Sequence, residues 1–333
     1  MTTVPRPRGA PSRLVVPVWA ALALVVAGGA CAAGQAAING ELGQRLDSPL
    51  TAAAISNSLG GVLFVVSLAT VSRVREGLRR AWRQRLPLWM YTGGLFGAVY
   101  VFAGSLTVPL MGVALFTVAQ VCGNTMGALG TDAVGLGPSG RLRVTRPRLA
   151  GAALAIVAIA VAQVGRDLAT GLWWLVPFVV VIGAGLALQG AFNGRVNEVT
   201  GNPLSTGMVN FVAGTSVLYL IVGVVAVVDG LPLSRLPSEP WLYLGGPLGS
   251  LLVVFSMLAI KVIGVLRMAL GILTGQLVGA LVIDVVALGV TPSPWLVAGL
   301  VLTAAAVAIT GRGKARAEAT PDADISAAAA KRD

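Results

Sequence analysis

Trp89-Met90-Tyr91-Thr92-Gly93-Gly94-Leu95-Phe96-Gly97 returns 152 positions later as Trp241-Leu242-Tyr243-Leu244-Gly245-Gly246-Pro247-Leu248-Gly249. The correspondence continues on both sides. Upstream, Gln35, Asn39, Gly40, Pro49-Leu50 and Gly60 recur at a spacing of 154 as Gln189, Asn193, Gly194, Pro203-Leu204 and Gly214. Downstream, Asp132 maps onto Asp284. Recurrence over so long a period marks a duplicated structural unit. Five apolar runs begin near Val15, Leu50, Leu88, Val113 and Leu149 in the first copy, and five near Trp173, Leu204, Trp241, Val262 and Trp295 in the second. An odd number of crossings leaves the second copy upside down relative to the first, the arrangement from which many secondary transporters are built. The predicted fold is an all-α membrane protein with ten transmembrane helices as two inverted five-helix repeats, 15–168 and 169–310. A cytoplasmic tail, 1–14, precedes them, and a disordered one, 311–333, follows.

Composition agrees. Of 333 residues 56% are hydrophobic and 11% charged, outside the range of soluble domains. The net charge of +11 sits in short connections between apolar runs rather than on one face, so it reads as topogenic and no nucleic-acid partner is expected. Histidine is absent, which excludes imidazole metal sites and histidine proton relays. No metal or cofactor is expected. Cys31 and Cys122 lie in apolar runs as small hydrophobes. Gly29-Ala30-Cys31 resembles a lipoprotein cleavage site, and the first run a signal peptide. Retention of that run is the expectation, because Gln35 to Gly60 belongs to the repeated unit.

The arginines set the orientation. With the N-terminus inside, Arg6, Arg8 and Arg13 are cytoplasmic, as are the loop from Arg73 to Arg85, the group Arg141, Arg143, Arg146 and Arg148, then Arg195, Lys261, and the tail residues Arg312, Lys314 and Arg316. The other side keeps Arg45, Arg166 and Arg235. Both termini are predicted cytoplasmic, in an inner membrane. Trp89 with Tyr91, Trp173 with Trp174, Trp241 with Tyr243, and Trp295 mark run boundaries, where amphipathic rings seat at the interface.

Polar groups inside runs carry the functional argument, since each must face protein or water. Asp132 and Asp284 are the acids within spans and are candidates for coupling or gating on opposite faces; the alternative is a helix-end acid held by backbone or by an arginine. Gly123-Asn124 aligns with Gly275-Gln276, each followed at i+4 by Gly127 or Gly279. The amides of Asn124 and Gln276 are candidate substrate contacts or a structural pair. The glycines, with Gly93, Gly97, Gly245 and Gly249, are candidate helix-packing positions. Gln35 and Gln189 are candidates to line a vestibule, while Asn39 and Asn193 are expected to cap the turns toward Pro49 and Pro203. Glu41 and Arg195 occupy equivalent positions on opposite faces and are not expected to pair. Arg267, early in the ninth run, either snorkels to the interface or meets an anionic group. No arrangement of side chains points to an enzyme.

Asn39-Gly40-x-Leu42-Gly43 with Ser48-Pro49, the two Trp-x-Tyr-x-Gly-Gly-x-x-Gly stretches, Gly275-Gln276 and Asp284 resemble the YdcZ family of the drug/metabolite transporter superfamily in its fused two-repeat form. The likeness spans roughly residues 15 to 310. It implies a ten-helix inverted-repeat fold, a cavity between the halves and movement of small molecules by alternating access. Two features depart from the family pattern: Gly123-Asn124 stands where Gly-Gln is usual, and neither aspartate is followed by the family's histidine and aromatic. The expectation is a secondary transporter, an exporter of a small neutral, zwitterionic or amphipathic solute. The alternative is a non-transporting membrane subunit or receptor. A proton as coupling ion and assembly as a homodimer stay open.

Overall fold

In lipid a segment must satisfy its own backbone, which selects helix. The computed structural model describes residues 17–319 apart from 86, 139, 165–172, 230–235, 288 and 290. In chain order the helices are α1 (Val18–Arg45), α2 (Pro49–Thr70), α3 (Ser72–Arg83), α4 (Gly93–Met111), α5 (Val113–Val134), α6 (Arg146–Ala162), α7 (Leu175–Thr200), α8 (Pro203–Asp229), α9 (Gly245–Val286) and α10 (Pro294–Ala319). Among the described residues, eight helices are long and apolar enough to cross a membrane. The 17-residue α6 and the shorter apolar stretch Gly245–Ser256 stand beside them.

Local chemistry explains the starts. Pro49 and Pro203 open α2 and α8, where a missing N–H costs nothing. The caps come from the preceding residues: Ser48 Oγ accepts from Thr51 N at 3.2 Å, and Asn202 Oδ1 from Leu204 N at 2.9 Å. The capping role expected of Asn39 and Asn193 is corrected here, because α1 and α7 run on past both residues.

α9 is one helical run of 42 residues, which if straight would be roughly 63 Å long, twice a hydrocarbon core. It cannot be straight. Leu252 packs on Gly28, while the Ile272 carbonyl packs on the adjacent Gly29. The chain therefore folds back between them, and its arms flank α1. Gly34, Gln35 and Asn39 meet Leu248, Gly249 and Gly245 in antiparallel sense, whereas Val26 and Ala30 meet Gly275 and Gly279 in parallel sense.

The other half repeats this packing with the partners exchanged. α7 lies between α4 and α5: Gln189 and Asn193 meet Gly97 and Gly93 antiparallel, and Val180 and Ala184 meet Gly123 and Gly127 in parallel. In both clefts a Cβ on the central glycine would strike a backbone carbonyl across the interface, so the helices are at backbone contact. α2 packs antiparallel on α8, with Gly61 under Phe211 and Gly207 under Phe64. α6 does the same on α10 through Gly151 and Gly299. α5 sits at the centre, with 67% of its span buried, against 11% for α8, whose Val224, Val227 and Val228 face outward.

One expectation is corrected. The arginine loop from Arg73 to Arg85 is largely the helix α3, because Val74, Gly77 and Ala81 fall on one buried face. α10 continues to Ala319 through a stretch rich in the helix formers Ala, Lys, Arg and Glu. Residues 1–14 and 320–333, with Arg166 and Arg235, lie outside the described residues.

Candidate functional site

At the centre, α5 and the second arm of α9 meet through a pair of amides. Gln276 Nε2 donates to Gln120 Oε1 at 2.9 Å, and the two side chains are only 6% and 4% exposed. Gln276 bonds Gln120, one helical turn before Asn124, its repeat mate in the sequence; Asn124 is half-buried with its backbone N against Gly183. Gln120 is the residue that sequence reasoning missed. Its signal was available: Gln120 and Asn124 lie four apart, on one face of α5.

Gln35 and Gln189 fill matching niches. A Cβ on Gly249 would lie 2.5 Å from Gln35 Oε1, and one on Gly97 would lie 2.7 Å from Gln189 Nε2. Glycine at both places makes room for the carboxamide. One turn on, Asn39 lies against Gly245 beside Ser56, and Asn193 lies against Gly93 beside Asn210. Asn39 Oδ1, Ser56 Oγ and Asn210 Oδ1 are buried and make no hydrogen bond among the described residues. Between α2 and α8, Asn57 Nδ2 donates to Thr215 Oγ1 at 2.7 Å, and Ser58 and Tyr219 share a hydroxyl contact of 2.8 Å.

The two aspartates have unlike partners. Gly112 separates α4 from α5 with φ +81 and ψ 160, a conformation essentially confined to glycine. The turn exposes the first amides of α5, which have no partner within the helix. Asp284 supplies one: its Oδ1 accepts from Val113 N and its Oδ2 from Ala114 N, both at 2.8 Å. A carboxylate there also meets the positive end of the α5 dipole. Asp132 instead pairs with Arg148, Nη2 to Oδ2 at 2.7 Å. Arg148 is 1% exposed, and its Nη1 donates to the Arg143 carbonyl at 3.2 Å. In the sequence it reads as a topogenic loop charge. Gly264, which corresponds to Gly112, lies within α9, in its reversing stretch.

Other charges settle outside this centre. Arg45 binds Glu41 at 2.8 Å and reaches Glu239, while Arg195 donates to the carbonyls of Gly135 and Leu136. Arg267 is exposed. Glu239, ahead of α9, is held below the ordinary carboxylate range, first by its own backbone N–H and then by Arg45. Among the described residues no three acids or cysteines gather as a metal site. The arrangement offers neutral donors and acceptors between helices and pairs Arg148 with Asp132, while Arg148 Nε makes no hydrogen bond among the described residues.

The family described as "Putative inner membrane exporter, YdcZ" matches the chain twice, over residues 20–161 and 174–309. Its drug/metabolite transporter proteins carry solutes and are not enzymes. No curated protein matches the chain.

Proposed function

The chain belongs to the YdcZ family of multi-pass inner-membrane transport proteins, and from that premise we propose that it is a secondary active exporter of a small neutral, zwitterionic or amphipathic solute, working by alternating access. In this reading residues 15–168 and 169–310 act as inverted five-helix repeats. α6 and the arm Gly245–Ser256 count with the eight long spans to make ten crossings. The observation that carries the reading is the exchange of partners between halves. α1 is clasped by two antiparallel arms of the second half, and α7 by α4 and α5 of the first. The equivalent helices α2 and α8, like α6 and α10, pack antiparallel, as a twofold axis in the membrane plane requires. Rocking of α1 and α7 in their clefts would open a path to one side and then the other. The placement of Arg195 against the connection after α5, and of Ser205 against α3, gathers the arginine-rich segments at one end, which supports cytoplasmic termini.

Gln35, Gln189, Asn124 and Gln276, with Gln120, are the proposed solute contacts, because amides both donate and accept and the region holds little unmatched charge. Asp132 and Asp284 are the proposed gates, with a proton as one candidate coupling ion. Their unequal partners support a two-state reading. Here Asp284 caps α5, and in the opposite state Asp132 would leave Arg148 for the amides at 265–266. Comparing small molecules retained by cells lacking and overproducing the protein identifies solutes, and counterflow in proteoliposomes tests them. Counterflow that persists when cysteines at Gly34 and Leu248 are cross-linked, in a chain without Cys31 and Cys122, would sink alternating access.

The buried Gln120–Gln276 pair favours a second reading, a non-transporting subunit or receptor whose amides only lock helices. In that case Q120L/Q276L assembles and functions like wild type; as a transporter it assembles but carries nothing.

A further inference from the structure

Membrane topology alone asks only that arginines be numerous on one side. It does not ask for a folded helix, yet α3 is one. Val74, Gly77 and Ala81 are buried against the ends of α7 and α8, where Ser205 Oγ donates to the Val74 carbonyl at 3.0 Å. Arg75 Nη1 donates to the carbonyls of Leu68 and Ala69 at 2.9 and 2.8 Å, fastening α3 to the last turn of α2. A cation there meets the negative end of the α2 dipole.

The outer face is thereby fixed. Arg79 and Arg83, four residues apart, lie opposite the buried stripe, with Arg73 and Arg80 to one side and Arg85 just beyond the helix. All are exposed, and Glu76 is the one acid in α3. Among the described residues, Arg73, Arg79 and Arg83 enter no ion pair. Trp82, at the border of this stripe, is 85% exposed, and Leu88 beyond it is 84% exposed. The helix joins the ends of two membrane-spanning helices, so it lies at the membrane surface.

We propose that α3 is a docking surface for anionic phospholipid headgroups. Guanidinium groups pair with phosphate bidentately and stay charged at any working pH. An indole beside them sits at headgroup level, where its apolar ring and N–H are both accommodated. A net negative headgroup such as phosphatidylglycerol fits six arginines in the segment Arg73 to Arg85 set against one glutamate; a zwitterionic headgroup does not. This surface is independent of the transport reading, since it requires only that the chain span a membrane.

The test uses the purified full-length protein in neutral detergent, with phosphatidylglycerol or phosphatidylcholine added and bound lipid counted by native mass spectrometry. Wild type is expected to retain phosphatidylglycerol and not phosphatidylcholine. Because each basic residue at an anionic surface contributes about fivefold in affinity, R73Q/R79Q/R83Q is expected to bind phosphatidylglycerol at least ~10-fold more weakly, while R73K/R79K/R83K keeps most of it. Equal retention by wild type and the glutamine variant overturns the proposal, as does equal retention of the two lipids by wild type. Should the glutamine variant fail to insert, wild type alone decides: raising salt to ~1 M cuts the screening length to about 3 Å and should strip the lipid. Retention unchanged by salt overturns the proposal as well.

Discussion

Replacing Asp284 perturbs one corner of the molecule in a calculable way. Its two oxygens each accept a backbone amide of α5 at 2.8 Å, and the side chain is 1% exposed. Hydrogen bonds to a charged group contribute about 1.5–3 kcal/mol each, and the favourable dipole adds roughly 0.5–2 kcal/mol in a buried setting. Asp284→Asn keeps one carbonyl acceptor but turns an NH2 toward the second amide. One bond and the charge are lost, an expected cost of about 2–5 kcal/mol. Asp284→Ala leaves both amides unsatisfied and should cost about 3–8 kcal/mol, at ~1–3 kcal/mol per buried unpaired group plus the lost dipole term. Gly112→Ala attacks the same corner from the backbone, since φ +81 with ψ 160 costs any other residue about 1–3 kcal/mol. The assay is thermal unfolding of purified protein in detergent. A loss of about 2–5 kcal/mol should lower Tm by several degrees, since this chain of 333 residues lies beyond the 150–250-residue proteins for which each kcal/mol shifts Tm by roughly 2–4 °C. Gly112→Ala in the Asp284→Ala background should cost less than in wild type, because the two share one corner. A Tm for Asp284→Asn within a degree of wild type would show that the cap does not hold α5, and the gating argument would go with it.

Asp132→Asn should destabilise by about 3–5 kcal/mol by stranding the buried Arg148, and D132L/R148M should regain most of that loss in chemical unfolding. Gln276→Leu should cost about 1–3 kcal/mol because Gln120 loses its partner, whereas Q120L/Q276L should unfold near the wild-type temperature. Glu239 has a folded pKa below its unfolded value, so its contribution is present above the ordinary carboxylate range and is lost as pH falls through the lowered folded value. Stability measured against pH should therefore show an acid-side decline that is shallower in Glu239→Gln.

Much of this molecule is legible in the chain because identical residue types recur at matching places. Gly97 with Gln189 and Gly249 with Gln35 could be matched as repeats from sequence, since each glycine and each glutamine has its mate at a fixed spacing. What could not be read was which half each would touch. Spacing defines a helix face but not the neighbour it meets, so the repeat points Gln276 to Asn124, its mate, whereas its hydrogen bond goes to Gln120. The place of Arg148 is illegible for a related reason. It follows Pro147 in a basic connection, and only the return of α6 beside the end of α5 brings it to Asp132. In α3 the signal was present, in Val74, Gly77 and Ala81 at helical spacing, but six arginines from Arg73 to Arg85 made the segment read as a loop.

The crossed clasp of α1 by α9 has a bearing on how the protein is made. α1 ends at Arg45 and its clasp begins at Gly245, so some 200 residues must be synthesised before the first helix, already able to meet α4 through Gly40 and Gly43, finds the two arms of α9. At ~5–20 residues per second that is a wait of roughly 10–40 s. Until then Gly28 and Gly29 lack the Leu252 and Ile272 contacts that cover them in the finished molecule, a smooth notch awaiting a backbone that the ribosome has yet to deliver. The amino-terminal half expressed alone would keep that notch unfilled, and co-expression of the carboxy-terminal half as a separate chain is the simplest way to fill it.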